Sequence, residues 1–195
     1  KFNRHFFMLI FDDLSKIVHE LEEGGIIIYP TDTIWGIGCD AFNENAIKKI
    51  YTIKEREPDK PFIVLVSDLD MLKHYVGTIH PRIESLLFYH EKPVTVIYRN
   101  IPGFPTVLYG EKKSVAIRVV KDKYCQEFIH AFGRPVVSTS VNRSGEEAPQ
   151  HFKDIHPDLL AQADFVSTYR RNDNTPAKAS AIVSFNSSGK LKFLR

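Results

Sequence analysis

The chain has 195 residues, 43% of them hydrophobic and 12% aromatic. That length favours one domain over 1–195, with a core that removes roughly 70% of the unfolded chain's surface from water. Twenty-six Lys and Arg against 24 Asp and Glu leave a formal charge of +2, which excludes a protein that coats nucleic acid by bulk charge. Cys39 and Cys125 are too few for a disulfide framework or a multi-cysteine metal site, and suit a reducing, cytoplasmic setting. No stretch approaches the ~20 apolar residues of a membrane span.

In chain order, the opening KFNRHFFMLIF is basic and then apolar, but Asp12 and Asp13 cut it short of a signal peptide, and it reads as a first edge strand. Asp12 or Asp13 then caps a helix carrying Leu14, Ile17, Val18 and Leu21, stopped by Gly24-Gly25. A strand over 26–29 runs into Pro30. Asn43 caps a second helix with Ala46, Ile47, Ile50 and Tyr51 at helical spacing, ending near Lys54 because Pro58 and Pro61 follow. Strand PFIVLV comes next, and further strands are expected over 94–98, 115–119, 135–138, 165–168 and 181–185. Helices are expected over 83–90 and 124–132. This alternation predicts an α/β domain.

Four segments place polar residues at the ends of buried-looking strands. PTDTIWGIGCD carries two Thr hydroxyls, a carboxylate and two glycines that let backbone approach a ligand; alone, it reads as a turn closed by an Asx bond from Asp32. Lys54-Glu55-Arg56 leaves a helix C-terminus, where cations suit the dipole; with Lys60, the pair could instead grip a triphosphate. Arg118, set among the apolar residues of VAIRV, needs an anionic partner, and both a protein carboxylate and a ligand carboxylate or phosphate remain open. STSVNRSG sets Ser138, Ser140, Asn142 and Ser144 two apart, so an extended backbone would turn the first three to one side. No P-loop, Rossmann fingerprint, zinc-ligand spacing or nucleophile elbow is present.

Taken together, these segments resemble the threonylcarbamoyl-adenylate synthases, the YrdC and Sua5 proteins. GGIIIYPTDTIWGIGCDA is similar to the family's strand-to-loop signature, IYTIKEREPDKPFIVLV to its K-x-R segment, VAIRV to its Arg strand, STSVNRSG to its S-x-N motif and LKFLR to its Leu-Arg segment. The length matches the single-domain YrdC type rather than the longer Sua5 branch. The resemblance implies a twisted open mixed sheet flanked by helices, with a large basic central cavity. It implies a nucleotidyltransferase that joins L-threonine, bicarbonate and ATP into threonylcarbamoyl-AMP and pyrophosphate, for a partner transferase complex that modifies tRNA. Mg²⁺ would come with ATP rather than on protein ligands, and no protein nucleophile is needed.

By this resemblance Lys54 and Arg56 are the catalytic pair and hold the phosphates. Lys60, Ser114, Ser140, Asn142 and Arg195 complete the ATP site, while Thr31, Thr33, Arg118, Ser138 and Ser180 form the threonine end. The chain departs from the family pattern at Trp35, usually Tyr; Leu65, usually a His facing the threonine; Lys60, usually Asn; Ala148, usually Ser; and Lys92, usually Gly. STYRRND stands where an Asp-Gly-Gly stretch is usual. Two alternatives follow from the same residues. One is a double-stranded RNA or tRNA binder using Lys48, Lys49, Lys54, Arg56, Lys112 and Lys113. The other is a YciO-like nucleotide-binding paralogue with a different amino-acid preference.

Overall fold

The computed structural model describes residues 4–57, 60–110, 113–175 and 179–194. In chain order the elements are α1 (Arg4–Glu22), β1 (Ile27–Tyr29), β2 (Gly36–Asp40), α2 (Glu44–Ile53), β3 (Ile63–Val66), α3 (Leu69–Val76), α4 (Pro81–Tyr89) and β4 (Val94–Arg99). They continue with β5 (Ser114–Val119), α5 (Lys123–Phe132), β6 (Val136–Ser140), α6 (Pro157–Leu160), β7 (Phe165–Val166), β8 (Ala181–Phe185) and β9 (Leu191–Phe193). Among the described residues the strands form one mixed sheet in the order β7-β1-β2-β6-β3-β5-β4-β8-β9. This is the mixed α/β architecture expected from the alternation.

The N-terminal segment corrects the sequence reading: α1 begins at Arg4, so the expected edge strand is the first half of a 19-residue helix. No Gly or Pro interrupts 4–22, and apolar residues at 10, 14, 17 and 21 keep helical spacing through both aspartates. Asp13 is therefore mid-helix rather than a cap. Its buried carboxylate accepts hydrogen bonds from Tyr124 Oη (2.6 Å), Ser167 Oγ (2.5 Å), and the N–H and Oγ1 of Thr168 (2.9 Å each). Four donors satisfy a charge that burial would otherwise penalise, and they tie α1 to α5 and to the segment after β7. By contrast, Asn43 caps α2 as expected, accepting from the Ala46 N–H.

The strand register separates two sheet faces. One presents Ile37, Val137, Val64, Ile117, Val96 and Val183, and is covered by buried residues of α2, α3, α4 and α6. The other presents Tyr29, Gly36, Ser138, Ile63, Leu65, Arg118 and Thr95 in neighbouring positions across six strands. Residues of α1 and α5 cover only part of this second face, packing on Ile27, Tyr29, Leu65 and Val136. Buried polar residues on a strand face need hydrogen-bond partners or a ligand, and the stretch that α1 and α5 leave uncovered is where the candidate site lies.

Candidate functional site

A cavity of about 230 Å³ occupies that uncovered stretch, lined by Thr31, Thr33, Arg56, Arg118, Ser138, Ser140 and Ser180 together with Trp35, Gly36, Phe62, Ile63 and Ile182, among others. Seven sequence-predicted site residues from five separate segments thus meet at one place. Two glycines of β2 permit close packing here, Gly36 in the cavity wall and Gly38 beside it. A Cβ on Gly38 would stand 2.1 Å from the Val137 carbonyl oxygen, and one on Gly36 would stand 3.0 Å from Ser138 Oγ. Gly38→Ala should cost about 3 kcal/mol, the upper end of overpacking costs, because backbone must yield. Gly36→Ala should cost less, because a side chain can move; thermal denaturation of the two variants checks the order.

The Thr31–Trp35 turn is closed by a hydroxyl rather than by the expected Asx bond. The Thr33 N–H donates to Thr31 Oγ1 (2.9 Å), Thr31 Oγ1 donates to the Ile34 carbonyl (2.8 Å), and the two Thr hydroxyls meet at 2.8 Å. Asp32 is freed to reach elsewhere: it accepts from the Lys121 N–H (3.0 Å) and pairs with Arg118, NH2 to Oδ1, at 3.2 Å. Arg118 also donates from NH1 to Thr33 Oγ1 (3.2 Å). The two partners left open for Arg118 are thus compatible, since it meets a protein carboxylate and still lines the cavity. Asp32 escaped the sequence reading as a site residue; its only signal was a carboxylate between two cavity threonines.

Arg56 reaches the cavity from the loop after α2. Its Nε donates to the Lys60 carbonyl (2.8 Å), and its guanidinium lies 5.2 Å from the Phe62 ring centre. Lys60 contributes that carbonyl, while its exposed side chain is outside the cavity lining. Ser180 Oγ is 2.8 Å from Thr95 Oγ1, both buried.

Lys54 is placed differently from expectation. It is 2% exposed, caps α2, and does not line the cavity. Its ammonium donates to the carbonyls of Ser140 and Asn142, and its own carbonyl accepts from the Ser144 N–H (2.8 Å). Burial and the nearby Arg56 charge push the ammonium down to about 7, against an opposing pull from Glu146. Lys54 thus holds the S-x-N turn from behind. Asn142 donates its amide to the carbonyls of Arg143 and Glu146 (2.9 Å each), and its Oδ1 is buried without a hydrogen-bond partner. Asn142 and Ser114 are both outside the cavity lining, and Arg195 lies outside the described residues. Leu65 is fully buried, opposite Arg118 in the register, and packs with α5 residues instead of lining the cavity.

Of the lysines in the RNA-binding alternative, Lys48 and Lys49 sit on α2 beside Glu44 (3.5 Å) and Asp164 (3.1 Å), Lys54 is buried, and Lys112 lies outside the described residues. Among the described residues, no group of three or more His, Cys, Asp or Glu is arranged to hold a metal ion, and no helix is long and apolar enough to cross a membrane.

Comparison with known proteins gives the family and the fold. The Sua5–YciO–YrdC family model, described as telomere recombination, matches residues 19–195. Threonylcarbamoyl-AMP synthase of Xanthomonas euvesicatoria pv. vesicatoria (strain 85-10) is 34% identical over 157 residues, covering 79% of this chain and 84% of that protein. The protein of the same name from Xanthomonas oryzae pv. oryzae (strain PXO99A) is 35% identical over 156 residues, covering 78% and 83%. Among solved structures, P. abyssi Sua5 complexed with L-threonine superposes with a TM-score of 0.80 at 22% identity, covering 93% of this chain and 53% of that one. E. coli YciO superposes with a TM-score of 0.78 at 23% identity, covering 93% and 87%. The chain thus spans about half the length of the Sua5 protein, and these two likenesses carry the fold alone. With the family model matched over most of its length, the chain belongs to the Sua5–YciO–YrdC family.

Proposed function

We propose that this cavity makes L-threonylcarbamoyl-adenylate from L-threonine, bicarbonate and ATP, releasing pyrophosphate. The observation that carries the reading is the meeting of Arg56 and Ser140 with Thr31, Thr33, Arg118, Ser138 and Ser180 in one cavity, residues read as a phosphate-binding set beside residues read as an amino-acid-binding set. The names of the 34–35% identical relatives support it. The threonine amine and bicarbonate give a carbamate, the N–C bond forming as a bicarbonate C–O bond breaks and water leaves; the carbamate's carboxylate oxygen then attacks the α-phosphorus of ATP, the new O–P bond forming as the bond to the oxygen that bridges to the β-phosphorus breaks, and pyrophosphate leaves with the electron pair. Such a transfer needs positioning and charge stabilisation more than a protein nucleophile. Arg56 provides a planar donor fork for phosphate oxygens, and the hydroxyl of Ser140 orients them. Lys54 serves by shaping the turn that presents Ser140.

Mg²⁺ would enter on the triphosphate, whose oxygens are the hard ligands it takes, beside a lining of hydroxyls and guanidinium groups. The product would pass to a tRNA-modifying transferase complex in the cytoplasm. The deciding measurement is pyrophosphate release from ATP and bicarbonate: it should require threonine and not be met by serine. Arg56→Ala should weaken ATP binding by about tenfold or more, the loss of a charge-assisted contact; unchanged affinity by calorimetry would remove Arg56 from the phosphate site.

A further inference from the structure

The turn over 167–171 follows β7, a strand of two residues, and forms no helix or strand of its own. Arg170 stands in it at φ 58°, a left-handed backbone that a residue with a Cβ keeps only where its surroundings enforce it. Asp13 supplies that enforcement from α1. Three of the four hydrogen bonds its carboxylate accepts come from this turn, from Ser167 Oγ and from the N–H and Oγ1 of Thr168. Only the fourth, from Tyr124, reaches α5. Leu14, Ile17, Val18 and Leu21 already pack α1 against α5, and another apolar residue at 13 would do so without the desolvation that a buried carboxylate entails. The carboxylate is therefore suited to holding the turn rather than the helix.

The same turn backs the cavity wall at two places. Arg171 folds over it, donating from Nε to the Ser167 carbonyl and from NH2 to the Val166 carbonyl (2.7 Å each), and its guanidinium lies 4.7 Å from the Phe152 ring centre. Phe152 in turn packs 4.9 Å, centre to centre, from Trp35, which lines the cavity. Beside this stack, Arg170 and Asp173 face Thr31, Thr33 and Trp35 across a space of about 20 Å³, room for about one water. Arg170 is itself held by Asp122 (2.9 Å) and Asp173 (3.1 Å).

We propose that Asp13 is a positioning residue for the cavity: its carboxylate fixes the 167–171 turn, and the turn, through Arg171 and Phe152 and across the narrow space at Arg170, holds the 31–35 wall in its ligand-ready place. Close-packed contacts transmit a displacement of the turn because they have no free volume to absorb it. Asp13 does not line the cavity and precedes residues 19–195, which the family model matches; the anchor is an addition of α1 behind the shared site. It acts whatever ligand fills the cavity, and only its effect on threonine use rests on the synthase reading.

The test is hydrogen exchange, read by mass spectrometry, on the ligand-free wild type, Asp13→Asn and Ile17→Val, with the threonine dependence of pyrophosphate release measured on all three. Asp13→Asn keeps the side chain's shape but presents an amide NH2 where an oxygen accepted hydrogen bonds. Its amides over 31–36 and 150–153 should exchange faster than in wild type, while β4 and β5 keep their protection. Its threonine KM should rise about threefold to tenfold, with kcat within about twofold of wild type. Ile17→Val trims a fully buried residue of the same helix and should leave both the wall and the KM as in wild type. Faster exchange confined to α1 and 167–171, or an equal response to both substitutions, is what a merely structural role gives, and either result overturns the proposal. If Asp13→Asn does not fold, Thr168→Val removes one of the donors, keeps its shape and is read at the same amides, where wild-type exchange overturns the proposal. Wild-type protein that releases no pyrophosphate removes the synthase reading, and exchange at the wall still decides the anchor.

Discussion

Arg118→Leu should destabilise the protein by about 3–5 kcal/mol, because it strands the Asp32 carboxylate in a nearly buried position with the Lys121 N–H as its remaining hydrogen-bond donor. On the amino-acid reading of the cavity, the same change should also weaken L-threonine binding, since it removes a guanidinium from the lining. Adding Asp32→Asn to Arg118→Leu removes the stranded charge, so the double variant should be more stable than Arg118→Leu alone. Urea unfolding of the three proteins separates the effects. If the double variant is no more stable than the single one, the ion pair is not what Arg118 contributes to folding.

Lys54 should make stability rise with pH in a range where few other groups titrate. Its folded-state ammonium is depressed from 10.5 to about 7. Between those values the unfolded chain holds a proton that the folded chain has released, so raising the pH favours the folded state, by about 1.4 kcal/mol per pH unit. Below about pH 7 both states are protonated, and the full cost of burying the charge remains. Lys54→Met keeps the chain length and discards the titration. The stability of wild type relative to Lys54→Met should therefore grow by about 2–3 kcal/mol from pH 7 to pH 9. A constant difference in guanidinium unfolding at the two pH values would mean that Lys54 keeps an ordinary ammonium.

Local signals carried much of the fold. Asn43 caps α2, β8 spans the expected positions, and strands and helices alternate as read. The failures share a cause, which is that a local pattern was read without its distant partners. Asp13 has the composition of a cap, but its donors lie on α5 and beyond β7. β2 was hidden in a segment read as a loop, because its glycines answer to the Val137 carbonyl and Ser138 of β6, about a hundred positions away, rather than to any strand propensity. At the site, ordered motifs carried seven residues to one cavity. They could not show that the Lys54 side chain turns away toward two carbonyls, because that depends on how the S-x-N turn folds back over the end of α2. Nor could they show Asp32 reaching Arg118 and the Lys121 N–H, the latter 89 positions further on.

Trp35 is the only tryptophan in the chain; it is 5% exposed, forms part of the cavity wall, and packs its ring 4.9 Å from Phe152, over which Arg171 lies at 4.7 Å. Every photon of indole emission from this chain therefore originates at the cavity wall. A shielded indole emits toward the blue, and a charged ligand arriving against it changes both its intensity and its maximum. The fold has in effect labelled its own cavity, and occupancy can be followed optically, in real time, without attaching a dye or altering a residue.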